Sequence, residues 1–456
     1  MIANTFNFSP LINSFRIPDL KKRLWVTLGL LAVYRMGCYL PIPGIDGIAL
    51  AEFISQISKS SGGALFGIIN MFSGGAMERL TIFALGIMPY ISSSIILQLL
   101  TAVIPALEKL AKEGKAGYQK INQFTRYGTV VLAVIQSFFI AKWLEGLGRT
   151  MQDMPKIVLA PGLGFELLTV LTLTTGTIFL MWLGEQIQER GIGNGISLVI
   201  TAGIVSRIPA AFHQLFVLLS PFNPTRRQLQ PAVLLLMVFL LAAVVFAVIL
   251  VTQGQRRIPV QYARRVVGRK VFGGQSTYIP LKVDTSGVIA IIFAQSIILF
   301  PATLASFIPN PAFQGFAHAL TRGNVGYSIV YALLIIFFCY FYTAVVFNPV
   351  DLADNMKKYG GFIPGIRPGV STAEFLDYTM TRITLAGALF IAFVAIFPDA
   401  LMAWLKVPYL VASFFGGTGV LIIVGVMLDT IKQLESHLMM HHYEGFIKGA
   451  RIKGRR

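Results

Sequence analysis

Charged residues are scarce in this sequence. Only 13% of its 456 residues are Asp, Glu, Lys or Arg, whereas 55% are hydrophobic and the mean hydropathy is +0.71. A soluble domain carries charge at about a quarter of its positions. The shortage comes from long uncharged stretches, which excludes an ordinary soluble fold and indicates a multi-spanning integral membrane protein.

Cysteine is also rare, and clustered metal ligands are missing. The two cysteines, Cys38 and Cys339, stand far apart in apolar stretches, so we predict neither a disulfide framework nor a zinc site. His437 and His441 stand four residues apart in the C-terminal tail, a spacing with which one helix face ligates a metal. An exposed juxtamembrane helix is the simpler interpretation, and we predict no metal site.

Catalytic motifs are missing as well. The sequence contains no G-x-x-x-x-G-K-[ST], no H-E-x-x-H and no G-x-S-x-G, which argues against a P-loop ATPase and an intramembrane protease. The acidic residues Glu166, Glu185 and Asp429 stand at the ends of apolar stretches rather than in their middles. We therefore expect no enzyme activity and no cofactor, and any uphill transport must draw its energy from a partner.

The apolar stretches predict ten membrane spans. A span needs about 20 mostly apolar residues, and ten segments reach or approach that length. They are Leu24–Leu40, Leu80–Ala106, Gly128–Leu147, Phe165–Gly184, Ile196–Leu218, Ala232–Val251, Ser286–Ile308, Tyr327–Phe347, Ile383–Phe397 and Pro408–Leu428. Five spans in each half are compatible with an inverted repeat, in which the substrate path lies between the halves.

The distribution of Lys and Arg predicts the orientation. Cytoplasmic loops carry an excess of these residues, and the termini with the loops on their side hold 27 of the 38. Both termini are therefore expected in the cytoplasm, and we expect no cleaved signal peptide. The net charge of +18 reflects this topology, and without a zinc knuckle or helix-turn-helix pattern we predict no direct DNA binding.

Two predicted cytoplasmic loops, 253–284 and 348–382, are long enough to form structures of their own. In the first, apolar and basic residues alternate around Ile258–Tyr262 and Pro280–Val283, which predicts a short hairpin. The second holds Arg367 in a Gly-Ile-Arg-Pro-Gly turn. Such basic arms are suited to docking a large acidic partner, although ordinary positively charged cytoplasmic loops have a similar composition.

A glycine-rich stretch, RGIGNGIS at residues 190–197, is similar in composition to a phosphate-binding loop. No strand precedes it, as that fingerprint requires. We predict instead a tight cytoplasmic turn whose glycines take positive φ, followed by a helix that begins at Gly195.

Seven motifs occur in an order that resembles one known family. They are MFSGGAMERLTIFALGIMPYISSSIILQLL, GEQIQERGIGNGIS, QSTYIPLKV, SIILFPAT, FFCYFYTAVVFNP, ADNMKK and GIRPG. Together they resemble the SecY family of bacterial protein-translocation channels, from about Lys21 to the end of the tail. The resemblance implies an all-α integral membrane fold of ten transmembrane helices, in which two inverted five-helix halves clamp around a pore that opens sideways to lipid.

The resemblance also implies a division of the chain. We expect a cytoplasmic N-terminal segment 1–23, an N-terminal half 24–218, a C-terminal half 219–430 that carries the two arms, and a cytoplasmic tail 431–456. Residues from about 63 to 72 are similar to the family's plug, a half-helix folded into the outer funnel, with the second span following from Leu80. From the residues alone, a re-entrant surface loop fits equally well. The plug and its hinge would comprise Phe66, Ile68, Ile69, Met71, Gly74 and Gly75.

Pore-lining residues are carried over from the family position by position. The family's apolar pore ring corresponds to Ile87, Ile91, Ile196, Ile200, Ile292 and Ile422. Such a ring closes around a passing chain, and a dewetted apolar constriction blocks ions. Without the resemblance, each of these isoleucines would be taken as an ordinary core or lipid-facing residue.

The family's lateral gate lies between spans two and three on one side and spans seven and eight on the other. It corresponds here to Ser92, Ser94, Gln295, Ser296 and Phe300. Interhelical hydrogen bonds in membranes are worth under about 1 kcal/mol on average. Polar contacts of that strength are weak enough to break when a hydrophobic signal sequence intercalates. Gln295 is bulkier than the small polar residue expected at its position.

The implied function is a protein-conducting channel that passes unfolded secretory proteins and releases transmembrane segments laterally into lipid. Arg367 matches an arginine that docks the motor ATPase or the ribosome, and Arg256, Arg257, Arg264 and Arg265 fall in the other docking arm. The motor, SecA, is a separate protein, which explains the missing P-loop. The membrane subunits SecE and SecG, preproteins with signal sequences and the lipid of a bacterial inner membrane complete the expected partners.

One alternative function is a polytopic secondary transporter for a small solute. Such a protein places a polar or charged site at mid-membrane, where this chain has apolar isoleucines. An intramembrane enzyme is a second alternative, which lacks a nucleophile or metal constellation in the sequence.

Overall fold

The computed structural model describes most of the chain. The described residues are 17–47, 49–50, 53, 70, 73–150, 157–219, 231–262, 265–267, 270–272, 276–307, 315, 325–405 and 417–449. Within them the backbone is predominantly helical, with five short strands. Contacts divide the chain into two compact units, of which unit 1 comprises Met1–Ser220, Leu299–Thr321 and Ile422–Arg456, and unit 2 comprises Pro221–Ile298 and Arg322–Leu421.

Where the structure describes it, unit 1 is helical. The described helices of its N-terminal part are α1 Pro18–Gly37, α2 Met88–Val103, α3 Pro105–Lys112, α4 Lys115–Thr150, α5 Leu163–Arg190, α6 Gly195–Val205 and α7 Ile208–Leu219. Buried apolar side chains such as Leu144 on α4 and Leu173 on α5 form one core cluster. A second cluster joins α1, α5 and α6 through Tyr34, Leu183 and Val199.

Unit 2 contains helices and all five strands. Its elements are α8 Pro231–Gln253, β1 Gln255–Tyr262, β2 Arg265–Val267, β3 Lys270–Phe272, β4 Ser276–Lys282, the first part of α9 Val288–Phe307, α10 Val325–Val346, α11 Pro349–Lys358, β5 Gly361–Phe362 and α12 Val370–Leu405. The last helix, α13 Thr418–Gly449, continues from unit 2 into unit 1 at Ile422.

Six helical stretches in the described part of the chain are long and apolar enough to cross a membrane. They are Lys115–Gly146, Leu163–Arg190, Gly195–Val217, Ala232–Gln253, Val325–Lys358 and Val370–Met402, and the bent pair α2–α3 makes a seventh if it counts as one span. Helix α1 is too charged to qualify, since Asp19, Lys21 and Lys22 lie in its first turns. The chain is thus a multi-pass membrane protein, while the total of ten spans stays a prediction.

The second predicted span starts later than expected. The sequence predicted a helix from Leu80, but residues 73–87 form successive turns and α2 begins at Met88. Leu80 has φ +41° and Gly86 has φ +58°, values that interrupt a right-handed helix. Pro89 then occupies the first turn, where its fixed φ and missing N–H cost nothing. At the far end the chain bends by 99° between α2 and α3, at Pro105.

The fifth predicted span, Ile196–Leu218, corresponds to the apolar helical stretch Gly195–Val217. The stretch is interrupted after Val205, so that α6 ends there and α7 begins at Ile208. Ser206 is the C-cap of α6, and Arg207 follows it. The break places a charged side chain at the end of an otherwise apolar helix.

The two predicted cytoplasmic arms form one small sheet. Strands β1 and β4 pair antiparallel, as the predicted hairpin requires, and β5 from the second arm pairs with the other edge of β1. Beneath this sheet, Ile258, Val260 and Leu281 pack against Leu376 and Met380 of α12. The hairpin prediction is therefore confirmed, and the chain is not purely helical because its arms add a three-stranded and a two-stranded sheet.

Candidate functional site

The isoleucines of the predicted pore ring are almost all buried. Ile87, Ile91, Ile200, Ile292 and Ile422 are each at most 6% exposed, so these five side chains do not face lipid. Ile196 is half-buried. Five of the six belong to unit 1, and Ile292 on α9 belongs to unit 2.

Ile87 and Ile91 are held together by the start of α2. Ile87 is the N-cap residue, and its carbonyl accepts a hydrogen bond from the Ile91 N–H at 3.1 Å. Ile196 and Ile200 stand four residues apart near the start of α6, so they share one face of that helix. Each pair therefore presents two β-branched side chains from one element. Their role as a pore ring stays a prediction.

Part of the predicted plug lies outside the described residues. This applies to Phe66, Ile68, Ile69 and Met71. Gly74 and Gly75 are described and have φ +65° and +88°, a backbone conformation that glycine adopts without strain.

Gly74 lies against two helices of unit 1. A Cβ on Gly74 would lie 2.9 Å from the Cα of Gly203 on α6 and 2.8 Å from the Tyr34 hydroxyl on α1. The Arg35 guanidinium donates to the Gly74 carbonyl at 2.9 Å. Small residues at this contact let the turn backbone approach α6 closely.

A polar network holds the turn that starts at Asn70. The buried Asn70 side chain donates to the Glu78 carboxylate at 2.6 Å and accepts from the Glu78 N–H at 3.0 Å. The same carboxylate accepts from Arg207 at 2.8 Å. This pairing is not predictable from local sequence, because Arg207 stands 129 residues further along the chain.

At the predicted lateral gate, α2 is joined to α4 through Ser93, which was not among the predicted gate residues. Ser92 and Ser94 are half-buried, whereas Ser93 between them is 3% exposed and donates to the Thr125 carbonyl at 2.8 Å. The approach depends on Gly128, because a Cβ there would lie 2.4 Å from the Ser93 hydroxyl oxygen. In the sequence, the available signal was the small size of the two residues, Ser93 on α2 and Gly128 on α4.

Two of the predicted gate residues on α9, Gln295 and Ser296, are buried. Gln295 is 1% exposed and accepts a hydrogen bond from the Tyr331 hydroxyl of α10 at 3.3 Å. Ser296 is also buried and donates back to the Ile292 carbonyl of its own helix. For Phe300 the structure describes the backbone alone.

The glycine-rich turn before α6 matches its prediction in part. Helix α6 begins at Gly195 as predicted, and Asn194 caps it by accepting from the Ser197 N–H at 3.3 Å. Of the three glycines, Gly193 alone has a positive φ, +94°. Gly195 is required for another reason, since a Cβ there would lie 1.8 Å from the Gly184 carbonyl oxygen. The prediction of positive φ is therefore correct for Gly193 and wrong for Gly191 and Gly195.

The same turn is clamped by both ends of the chain. The Ile192 N–H donates to the Thr27 hydroxyl of α1, and the Gly193 N–H donates to the Gln433 side chain of α13, both at 3.0 Å. Leu20 of α1 and Leu434 of α13 bury their side chains with Ile192. The start of α6 is thus fixed by α1 and α13.

The docking residues lie on the small sheet and its neighbouring turn. Arg256 and Arg257 are exposed on β1, where the Arg257 guanidinium lies 4.7 Å from the centre of the Tyr278 ring. Arg367 is exposed in the loop between β5 and α12. Arg264 lies outside the described residues, and Arg265 is described by its backbone on β2 alone.

Metal ligands are not grouped in the part of the chain that the structure describes, where no three His, Cys, Asp or Glu side chains come together. Both cysteines there are free and buried. His437 lies on α13, and the His441 side chain is outside the description. The absence of a metal site stays a prediction.

Comparisons with known proteins agree on one family. A family model described as SecY matches residues 81–431. The protein translocase subunit SecY of Vibrio cholerae is 49% identical over 445 residues, covering 96% of both chains. A solved structure of a protein-conducting channel has a TM-score of 0.61 at 18% identity, covering 95% of both chains. Sec61 from the canine ribosome-channel complex has a TM-score of 0.54 at 17% identity and the same coverage.

Proposed function

This chain belongs to the SecY family, and we propose that it is the subunit that conducts unfolded secretory proteins through the membrane and releases transmembrane segments sideways into lipid. The observation that carries the proposal is the match to this family along almost the whole chain. The isoleucines at the predicted constriction are apolar and buried, as a closed pore ring requires. At most 6% of the surface of Ile87, Ile91, Ile200, Ile292 or Ile422 is exposed. An apolar constriction of this kind blocks ions by dewetting.

The proposed path lies between an N-terminal half 24–218 and a C-terminal half 219–430, lined by the six isoleucines. The plug at about 63–72 closes it from outside. The lateral gate consists of Ser92 and Ser94 on one side and of Gln295, Ser296 and Phe300 on the other. The channel has no catalytic role of its own, so a partner supplies the energy.

The proposed docking surface for that partner is the exposed sheet of the two arms. Arg256 and Arg257 on β1 and Arg367 beyond β5 carry its positive charge, and Arg264 and Arg265 belong to the same arm. Guanidinium groups suit carboxylates on an acidic partner because they form bidentate hydrogen bonds. The partners are the SecA motor and the ribosome, with SecE and SecG as membrane subunits. The similarity to Sec61 of a ribosome-channel complex supports the ribosome.

The proposed setting is the bacterial inner membrane, with both termini in the cytoplasm. The excess of Lys and Arg on the terminal side supports this orientation. The basic arms would then face the cytoplasmic motor and the ribosome.

The experiment is reconstituted translocation. The chain is purified with SecE and SecG, placed in vesicles and supplied with SecA, ATP and an unfolded precursor, and protease-protected precursor is measured. Arg367→Glu is expected to reduce protection at least about tenfold, because the variant presents a repulsive charge to the partner. The matched control is Arg382→Glu, an exposed arginine on α12, which should remain near wild type. Equal activity of all three proteins would contradict the docking role, and no protection with wild type would contradict the function.

A further inference from the structure

Two elements of unit 1 that carry predicted pore residues are fastened to each other at two points. The first point is the close contact between Gly74, in the turn segment 73–87, and Gly203 on α6. The second is the ion pair between Glu78 in the same segment and Arg207, two residues beyond the end of α6. The segment 73–87 and α6 therefore meet side by side along several residues.

Each fastened element leads directly to one isoleucine pair. The segment 73–87 ends at Ile87, the N-cap of α2, and Ile91 follows one turn later. Helix α6 carries Ile196 and Ile200 ahead of Gly203. Because both elements are short and continuous with these residues, a shift of one element against the other changes the spacing of the two pairs.

The ion pair between Glu78 and Arg207 restricts this shift because its groups are partly buried and hydrogen-bonded. The Arg207 side chain is only 15% exposed and the Glu78 side chain 44%. Asn70 is 3% exposed and holds the Glu78 carboxylate from the other side through its amide. The Arg207 guanidinium is the more buried partner, so removing Glu78 takes an acceptor away from a buried charge, which costs more than losing an exposed pair, whereas the Glu78 carboxylate is partly solvated.

We propose that Glu78 and Arg207 are positioning residues that lock the segment 73–87 to α6, so that Ile87, Ile91, Ile196 and Ile200 form one rigid part of the closed constriction. This rests on the proposed function, because it assumes that these isoleucines line the channel. The lock maintains the seal of the resting channel rather than contacting the translocated chain.

The test measures ion leakage through the resting channel. Purified complexes with SecE and SecG are placed in planar bilayers without precursor, and conductance per channel is recorded for wild type, Glu78→Gln, Arg207→Gln and the charge-exchanged double variant Glu78→Arg/Arg207→Glu. Each single variant is expected to raise the resting conductance about threefold to tenfold, and the exchanged pair to restore most of the seal.

The matched control is Arg79→Gln. Arg79 is an exposed neighbour of Glu78 in the same turn, and its guanidinium lies over the Tyr39 ring at 4.3 Å rather than in the ion pair. Its removal should leave the resting conductance unchanged. Thermal unfolding of all variants in detergent is recorded in parallel, and Glu78→Asp with Arg207→Lys replace any neutral variant that does not assemble. These should leak to an intermediate degree.

Three results would contradict the proposed lock. The first is a wild-type resting conductance in both single variants or in their replacements. The second is a charge-exchanged double variant that leaks as much as the single variants, and the third is an Arg79→Gln variant that leaks as much as they do. A failure of the proposed function is distinguishable from these, because wild type would then translocate no precursor with SecA and ATP, whatever the conductances.

Discussion

Gln261 on β1 is the antiparallel partner of Phe362 on β5. The pairing joins two loops that are about 100 residues apart in the chain into one sheet, with a shared core above α12. The arms therefore form a single platform. The orientation of the platform is set by α12, against which its core residues pack.

The platform should depend on Leu376, which is fully buried at its base. Leu376→Ala is expected to destabilise the platform by about 2–5 kcal/mol, because it removes buried methyl groups and leaves a cavity. Limited trypsin digestion should then cut both arms faster. Val370→Ala, at a 76% exposed position on the same helix, should digest like wild type, and equal digestion of the two variants would argue against a common core.

The elbow between α5 and α6 should not tolerate a side chain at Gly195. A Cβ there would lie 1.8 Å from a backbone oxygen, which cannot move without displacing α5. Gly195→Ala is expected to cost about 2 kcal/mol or more in thermal unfolding. In the control Gly29→Ala the new Cβ meets nothing within 4 Å on α1, so stability should stay equal or rise by about 0.5–1 kcal/mol. Similar losses in both variants would refute the close approach.

The contact of α2 with α4 predicts coupling between Ser93 and Gly128. Gly128→Ala pushes on the Ser93 hydroxyl and breaks its hydrogen bond to Thr125, while Ser93→Ala removes that bond at a cost of about 0.5–1.5 kcal/mol. Each single variant should lower stability, and the double variant should lose less than the sum. Unfolding in detergent measures all three, and additive losses would contradict the contact.

Local patterns predicted much of this fold. The alternation around Ile258 predicted the hairpin, and the glycine-rich stretch predicted a helix from Gly195, because both depend on neighbouring residues. The predicted start of α2 was too early, because residues 80–87 are as apolar as a membrane-spanning helix. Their composition does not reveal the positive φ of Leu80 and Gly86.

Local sequence patterns could not predict contacts between residues that are far apart in the chain. The partnership of Glu78 with Arg207 and the addition of β5 to the hairpin join residues that are more than 90 positions apart. Taken alone, Glu78 and Arg207 look like ordinary charged residues of loops, and the residues of β5 look like part of a short loop. The positions of the pore isoleucines came from family resemblance, since burial cannot distinguish a pore-lining isoleucine from a core one.

The most direct test of the account is a crosslink from a precursor stalled midway through translocation. Cys38 and Cys339 are replaced, and single cysteines are placed at Ile91, which is 4% exposed on α2, and at Leu171, which is 68% exposed on α5. With SecA and ATP, the account predicts a crosslink from the precursor to position 91 and none to position 171. No crosslink at 91 while precursor becomes protease-protected would contradict the isoleucine constriction as the path of the chain.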